Sequence, residues 1–244
     1  ATNSQHLYRP FDLPKKGGRG TRRIDSPQNP LKGIQTRINH ELFSQLKFPA
    51  EIVGSVPGRS VRDHAKRHIG KRVLVTLDIQ DFFGNVTADK VRRAVLNTFE
   101  CSSRIADILV GLTTYKGRLP QGASTSPALA NLTILPLIRD IADMLRTSAE
   151  ASSLSAWCDD IVISGDNAHD FISGVVSLAK VHGFRINPKK VHIMRRHHMQ
   201  TSIGVVLNHK ISYGSTRINT LISEIVGASD VERRGRLKSL AYHI

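Results

Sequence analysis

SLSAWCDDIVISG, residues 153–165, contains two short apolar runs on either side of the adjacent acids Asp159 and Asp160. The runs SLSAW and IVISG favour strands, and the CDD between them predicts a hairpin turn. A second short β-branched run, VLVTLDI (Val73–Ile79), predicts a buried strand that ends in another carboxylate, Asp78. Ionised carboxylates at such positions lose hydration unless a cation compensates them. The sequence therefore predicts that the three acids belong to one site.

The residue types of this site favour a hard divalent cation. Carboxylate oxygens at Asp78 and Asp159, completed by phosphate oxygens and water, suit Mg²⁺, whereas zinc would call for His and Cys. Two such ions about 3.5–4 Å apart activate an attacking hydroxyl and stabilise a leaving oxygen in nucleotidyl transfer. A lone Asp-Asp pair is more often an ordinary turn, so the combination with Asp78 carries the prediction. The expected cofactor is two Mg²⁺ ions, for which Mn²⁺ can substitute.

The composition of the 244-residue chain points to a polyanionic partner. Lys and Arg number 35 against 20 Asp and Glu, which gives a formal net charge of +15. Residues 1–72 hold 15 of these basic residues against 5 acidic ones, so the N-terminal third is the expected binding surface for nucleic acid. No apolar run of membrane-spanning length, no secretory signal and no disulfide or zinc motif is present. A cytoplasmic protein with no membrane partner is expected.

The densest basic segment is PKKGGRGTRR (Pro14–Arg23), in which glycines separate two basic clusters. A tight hairpin tip would direct its basic side chains into one space, where phosphates would bind. The side chains concerned are Lys15, Lys16, Arg19, Arg22 and Arg23. A solvated basic loop explains the same segment equally well.

Periodicity also predicts the remaining elements. Five longer helices are expected over about residues 31–46, 87–100, 102–114, 126–148 and 168–182, and a short basic helix is expected in SVRDHAKRH. Short strands are expected in FRI, VHIM, SIGVVL and KISY, and a helix is expected in the tail from Arg217 to Ile244.

Four motifs follow one another along the chain: LDIQDFF (Leu77–Phe83), LPQGASTSP (Leu119–Pro127), WCDD (Trp157–Asp160) and GFRINPKK (Gly183–Lys190). Their order resembles that of reverse transcriptases. The upstream YRPFDLPKKGGRGTRRIDSP resembles the fingers of bacterial retron and group II intron enzymes. HAKRH (His64–His68) is similar to the NAxxH element of retron reverse transcriptases, with His in place of Asn. SIG stands where they carry VTG.

The resemblance implies a role for each matching residue. Asp78 and Asp159 would be the principal metal ligands, with Asp160 as the second acid and the Ile79 carbonyl as a further ligand. Phe83 would be the steric gate that rejects a ribose 2′-hydroxyl, and Lys189 or Lys190 would protonate the pyrophosphate. Residues implied in dNTP binding are Lys15, Lys16, Arg22, Phe83, Gln121, Gly122 and Lys189. Residues expected to contact nucleic acid are Arg19, Arg23, Arg59, Arg62, His64, His68 and Trp157, the last replacing the usual tyrosine.

The expected fold class is therefore α+β, a right-hand polymerase whose antiparallel palm sheet packs on helices. Residues 1–71 and about 100–125 would form the fingers, 72–214 the palm, and 215–244 a connection or the start of a thumb that is truncated or absent. The implied function is an RNA-directed DNA polymerase that copies a structured RNA with a primer and dNTPs. A retron-like enzyme would copy a cognate noncoding RNA into RNA-linked DNA, in phage defence, with an accessory effector protein. An RNA-binding, maturase-like scaffold and an RNA-dependent RNA polymerase are the alternatives, and a small or polar residue at Phe83 would have favoured the latter.

Overall fold

The computed structural model describes residues 5–14, 20–148 and 151–214 together with Asn219. The strands are Tyr8–Pro14 (β1), Thr21–Pro27 (β2), Val73–Asp78 (β3), Ser153–Trp157 (β4), Asp160–Gly165 (β5), His192–Arg195 (β6), Thr201–Ser202 (β7) and Val205–Val206 (β8). The helices are Leu31–Glu41 (α1), Val61–His68 (α2), Phe82–Asn85 (α3), Ala88–Phe99 (α4), Ser103–Thr113 (α5), Ser126–Arg146 (α6) and Ile172–Val181 (α7). Lys15, Lys16, Arg19 and the expected helical tail, apart from Asn219, lie outside the described residues. Within them, no helix combines the length and the apolarity needed to cross a bilayer.

A four-stranded antiparallel sheet in the order β4-β5-β3-β6 forms the middle layer of the molecule. Because β3 is central, both of its faces are buried. Val75 and Leu77 face a core formed with the long helix α6 and its neighbours α4 and α7. Leu74 and Val162 face the opposite way, toward Ala65 of α2. The α+β class and the antiparallel sheet packed on helices are confirmed.

The basic N-terminal segment forms the predicted hairpin, in which β1 and β2 pair over their whole length. At its base, the Tyr8 ring stacks against Tyr115 with centroids 4.5 Å apart. Gln35 of α1 is fully buried, and its Nε2 donates to the Tyr8 hydroxyl at 2.8 Å and to the Leu112 carbonyl at 2.7 Å. These contacts fix the hairpin to α1 and α5, so its base is an ordered part of the fold.

Several predicted elements are shorter than expected. The first helix ends at Glu41 and continues as a separate 3₁₀ turn, Phe43–Gln45. SIGVVL is interrupted by positive φ angles at Ile203 and Gly204, which make it a tight hairpin of two-residue strands. FRI and KISY are not strands, since each contributes only one isolated bridge residue to its neighbour. Short apolar runs are ambiguous because packing, rather than propensity, decides their conformation.

The basic helix α2 is held against the sheet by two buried histidines. The side chain of His64 contacts Ser155 Oγ through Nδ1 at 2.8 Å and Ser202 Oγ through Nε2 at 3.0 Å. The side chain of His68 contacts Ser164 Oγ through Nδ1 at 2.7 Å and the same Ser155 Oγ through Nε2 at 2.8 Å. One continuous hydrogen-bonded chain therefore joins α2 to β4, β5 and β7.

This burial corrects the expected role of both histidines. Neither His64 nor His68 exposes any surface to solvent, so neither can contact nucleic acid. Burial also lowers the pKa of His64 to about 4 and that of His68 to about 3, because a charged ring would lose its hydration. Both rings are therefore neutral at physiological pH and act in holding the fold together.

The turn between β4 and β5 is braced by a segment more than a hundred residues earlier in the chain. The backbone N–H groups of Val53 and Gly54 both donate to the Ala156 carbonyl, at 2.9 and 3.2 Å. A Cβ atom at Gly54 would lie 2.8 Å from the Cys158 nitrogen and 2.8 Å from the Trp157 Cα. Only glycine therefore allows this approach.

The two buried histidines predict that the free energy of unfolding decreases as the pH is lowered. In the unfolded chain both rings take up a proton as the pH falls below about 6.5, whereas in the folded protein they stay neutral until about pH 4 or 3. Their stabilisation is therefore complete above pH 6.5 and decreases as the pH falls. When the pH is lowered from 7 to 5, each of the two histidines should lower the free energy of unfolding by about 2 kcal/mol. Urea unfolding of the wild type and of His68→Gln should show a smaller pH dependence in the variant, whereas the exposed His197→Ala should match the wild type. Identical pH slopes in all three would contradict the assignment.

The Gly54 contact predicts a specific destabilisation. Gly54→Ala should lower the free energy of unfolding by about 1–3 kcal/mol, because the new methyl group meets backbone atoms that cannot rotate away. Gly33→Ala on helix α1 is the matched control, since nothing lies within 4 Å of a Cβ atom there, and it should be neutral or stabilising. Thermal unfolding of both variants measures the difference. A Gly54→Ala protein as stable as Gly33→Ala would show that the turn is not tightly braced.

Candidate active site

The three acids singled out in the sequence lie together at one end of the sheet. Asp78, the last residue of β3, is directly opposite Asp160, the first residue of β5. Residues paired in this way project from the same face of a sheet. The Ile79 N–H donates to the Asp159 carbonyl at 2.9 Å, which fixes the end of β3 against the turn. The structure therefore brings together residues separated by about eighty positions in the chain.

A two-residue turn presents the acids. Trp157 pairs with Asp160, so Cys158 and Asp159 alone connect the two strands, and β5 begins one residue earlier than expected. Cys158 has a φ of 54°, in the left-handed region used by tight hairpins. The Trp157 ring is half-buried and lies edge-on to His64, with centroids 6.3 Å apart. The tryptophan thus packs against α2, and its contact with nucleic acid stays a prediction.

A lysine contacts the buried carboxylate of Asp78. Lys190 Nζ lies 2.6 Å from Asp78 Oδ2, and this hydrogen bond raises the pKa of Lys190. The preceding turn is fixed by Asn187, whose N–H donates to the Asp78 carbonyl at 2.8 Å and whose Oδ1 accepts from the Lys189 N–H at 3.1 Å. Both lysines are exposed, and of the two it is Lys190 whose ammonium group contacts Asp78.

The electrostatics of the acidic end are dominated by burial. Burial is the main cause that raises the pKa of Asp159, and repulsion by Asp78 adds to it. Burial together with the charges of Asp159 and Asp78 raises the pKa of Asp160 to about 6. The positive charges of Lys190 and, to a smaller extent, Arg22 of β2 oppose the rise in the pKa of Asp159.

The donor set fits a hard divalent cation. All three side chains offer carboxylate oxygens, the ligands that Mg²⁺ and Mn²⁺ prefer. The raised pKa values of Asp159 and Asp160 reflect a cost of buried negative charge that a cation would reduce. Across residues 5–14, 20–148 and 151–214, no three His, Cys, Asp or Glu side chains are grouped closely enough to hold a metal ion. Among these residues, the cation paired with Asp78 is instead the Lys190 ammonium.

Two of the residues implied in nucleotide binding, Gln121 and Gly122, lie against strand β2 of the N-terminal hairpin. The Asp25 N–H of β2 donates to the Gln121 carbonyl at 2.8 Å. Gly122 has a φ of 125°, and a Cβ atom there would lie 2.8 Å from Ile24 Cγ2, so glycine is required. Phe83 and Gly122 both line a cavity of about 350 Å³. The hairpin is therefore docked directly on Gln121 and Gly122.

Other expected nucleic-acid ligands have different surroundings. The Arg59 guanidinium donates to the carbonyls of Phe48, Pro49 and Ile52, so the half-buried arginine holds its own loop together. Its expected contact with nucleic acid stays a prediction. Arg23 pairs with Asp25 at 3.6 Å and is otherwise exposed, as is Arg62 on α2. The roles of these two arginines stay predictions.

Two positioning residues were missed in the sequence. Asn187 precedes Pro188, an order typical of a turn that begins with a side-chain cap, so its role could have been found. Gly54 carries no local signal, because the hairpin that it contacts is formed by residues 153–165.

Comparisons with known proteins agree with this geometry. Residues 13–221 match the family model described as reverse transcriptase (RNA-dependent DNA polymerase). The chain is 31% identical to the retron Mx65 reverse transcriptase of Myxococcus xanthus, over 97% of this chain and 60% of that protein. It is 27% identical to the retron Ec86 reverse transcriptase of Escherichia coli, over 89% of this chain and 69% of that protein. The chain thus spans 60% of the length of the Mx65 enzyme.

Solved structures show the same fold at low identity. Apo telomerase from Candida tropicalis superposes with a TM-score of 0.64 at 11% identity, over 98% of this chain and 52% of that one. Telomerase from Candida albicans, in complex with a TWJ fragment of telomeric RNA, gives 0.59 at 12% identity, over 88% and 47%. The fold is that of the fingers and palm of a right-hand polymerase. By its family match, and by its similarity to retron enzymes, this chain belongs to the reverse transcriptase family.

Proposed function

We propose that this chain carries the polymerase site of an RNA-directed DNA polymerase, which adds dNTPs to a primer on an RNA template. The observation that carries the proposal is the pairing of Asp78 with Asp160 across β3 and β5, with Asp159 in the intervening turn. The division into fingers (residues 1–71 and about 100–125) and palm (72–214) is part of the proposal. It is supported by the docking of β2 on Gln121.

In this proposal Asp78 and Asp159 hold the metal ions, with help from Asp160 and the Ile79 carbonyl. Two Mg²⁺ ions, when bound, supply activation of the primer hydroxyl and stabilisation of the leaving pyrophosphate. Lys190 holds protons on Nζ beside Asp78 and gives one of them to the pyrophosphate oxygen that is released. A lysine whose pKa is raised stays charged at neutral pH, so the proton is present when it is needed.

Nucleotide choice and phosphate binding are assigned to Phe83 and to basic residues of the N-terminal segment. Phe83 is proposed as the gate against a ribose 2′-hydroxyl, a role supported by its place with Gly122 on one cavity. Arg22 is proposed to bind the triphosphate, because its charge already acts on Asp159 and a guanidinium can bond phosphate oxygens in pairs. Lys15 and Lys16, which lie outside the described residues, are proposed to assist in binding the triphosphate.

The template and its biological role follow from the similarity to retron enzymes. We propose a structured, cognate noncoding RNA as template, an RNA-linked DNA as product, and a role in phage defence with an accessory effector protein. The net charge of +15 supports binding of a polyanion.

The acids predict loss of catalysis without loss of binding. Asp159→Asn together with Asp160→Asn should lower DNA synthesis by about 10³-fold or more, because no carboxylate remains in the turn. RNA binding should stay within about twofold. The assay is primer extension with an RNA template, a DNA primer, dNTPs and Mg²⁺, with the exposed Asp143→Asn as control. Synthesis by the double variant at the wild-type rate would defeat the proposal.

Phe83 predicts the choice of sugar. Phe83→Ala should raise incorporation of ribonucleotides relative to deoxynucleotides by about tenfold or more, because the ring that would meet the 2′-hydroxyl is removed. Phe83→Tyr keeps the ring and should keep the discrimination. Single-nucleotide extension with dNTPs and rNTPs measures the ratio. Unchanged discrimination in Phe83→Ala would show that the ring is simply part of the core beside Phe82, whose centroid is 5.6 Å away.

A further inference from the structure

The end of the sheet opposite the acids is basic. Val73, the first residue of β3, pairs with both Gly165 of β5 and Arg195 of β6. The antiparallel register therefore places the residues next to Val73, Gly165 and Arg195 together at one end of the sheet, which we call the basic edge. This edge lies five residues along β3 from Asp78, a distance of about 17 Å for an extended strand. The two ends of one strand thus present opposite charges.

A cavity of about 810 Å³ opens at this edge. Its basic lining consists of three arginines and three histidines, Arg72, Arg195, Arg196, His169, His197 and His209, against a single acid, Asp166. The three arginines are exposed, and in the described part of the chain none of them forms an ion pair. Unpaired guanidinium groups around a concave surface are suited to bind phosphate.

The backbone under these arginines is fixed by a buried amide. Gln200 is fully buried, and its Nε2 donates to the carbonyls of Lys71 at 3.1 Å, Arg72 at 3.4 Å and Met194 at 3.0 Å. The Arg196 N–H donates to the Arg72 carbonyl at 2.8 Å. The strands that carry the basic side chains are therefore tied together before any ligand arrives.

A second amide holds the turn that follows β6. Asn208 Nδ2 donates to the Arg196 carbonyl at 3.0 Å and to the His198 carbonyl at 2.7 Å. Asn208 Oδ1 accepts from the Gln200 N–H at 2.9 Å. The basic turn therefore has a fixed backbone, so binding at this edge costs less ordering entropy than binding by a mobile segment would.

The lining also indicates which part of a nucleic acid would bind. Val73 is the one aliphatic residue in the lining, and the aromatic rings there are all histidines. A site for a base or a small nucleotide would need a large apolar or aromatic platform. The charged lining instead suits the sugar-phosphate backbone, in which successive phosphates meet successive arginines.

We propose that this basic cavity binds the phosphodiester backbone of a folded RNA segment, at a surface separate from the acidic end of the sheet. The choice of RNA over DNA rests on the proposed function, whereas the binding of a phosphate backbone rests on the cavity itself. The surface would hold a part of the RNA that is not being copied, while the template strand occupies the site near Asp78.

The test compares two double variants that remove equal charge. Arg195→Ala with Arg196→Ala removes two arginines of the cavity. Arg139→Ala with Lys180→Ala, on the exposed sides of α6 and α7, is the matched control. The probe is a fluorescent 20-base-pair RNA hairpin, and binding is measured by anisotropy from 50 to 300 mM salt without nucleotides or metal.

The cavity variant should bind the hairpin about tenfold more weakly at 100 mM salt, and the slope of log K against log salt should decrease by about two. The control should stay within twofold of the wild type. On a short RNA template with a DNA primer, both variants should extend at the wild-type rate at saturating substrate. Wild-type affinity in the cavity variant, or equal losses in the two variants, would overturn the proposal. So would a loss seen with duplex DNA but not with the RNA hairpin. The binding result can be read even if the wild type makes no DNA, so the two proposals fail separately.

Discussion

The antiparallel pairing of β3 with β5 is the constraint on which the site depends. The register places Asp78 opposite Asp160, and a shift of one residue would turn every side chain of one strand to the other face. Such a shift would move Val75 and Leu77 out of the helical core and bury polar residues in their place. The packing of Val75 and Leu77 on one face of β3 and of Leu74 on the other therefore supports this register, and the register brings the acids together. The hydrophobic core and the grouping of the three acids are consequences of the same pairing.

The supports of this pairing come from distant parts of the chain. On one face, α2 is tied to three strands through a chain of two histidines and three serines. At the turn, the segment around Gly54 approaches the backbone so closely that a methyl group would not fit. At the end of β3, Asn187 fixes the turn that carries Lys190. Each support is polar or steric, so the position of the acids is defined more narrowly than apolar packing alone would define it.

The sequence predicted the strands and the acids because both carry local signals. VLVTLD is short, β-branched and ends in an acid, and the CDD turn separates two apolar runs. The role of His64 and His68 was predicted wrongly because HAKRH is rich in basic residues, which favours a surface that binds nucleic acid. On the helix, however, His64 and His68 are one turn apart and face the sheet, while Lys66 is exposed. The sequence also carries no sign that Arg59 donates to three carbonyls of its own loop, because these contacts depend on how residues 48–59 fold back on themselves. Which of Lys189 and Lys190 reaches Asp78 depends on the direction of a 3₁₀ turn, which composition does not reveal.

The ion pair between Lys190 and Asp78 means that the protein itself neutralises part of the negative charge at the acidic end of the sheet. A metal ion bound at Asp78 would compete with the Lys190 ammonium, and a displaced ammonium would then pair with another anion. The triphosphate of an incoming nucleotide carries such anions. Binding of the metal ion at Asp78 would therefore be coupled to binding of the nucleotide. The metal ion would replace Lys190 as the partner of Asp78, and the triphosphate would replace Asp78 as the partner of Lys190. Lys190 would in this way disfavour binding of a metal ion before the nucleotide arrives, and would favour binding of the two together.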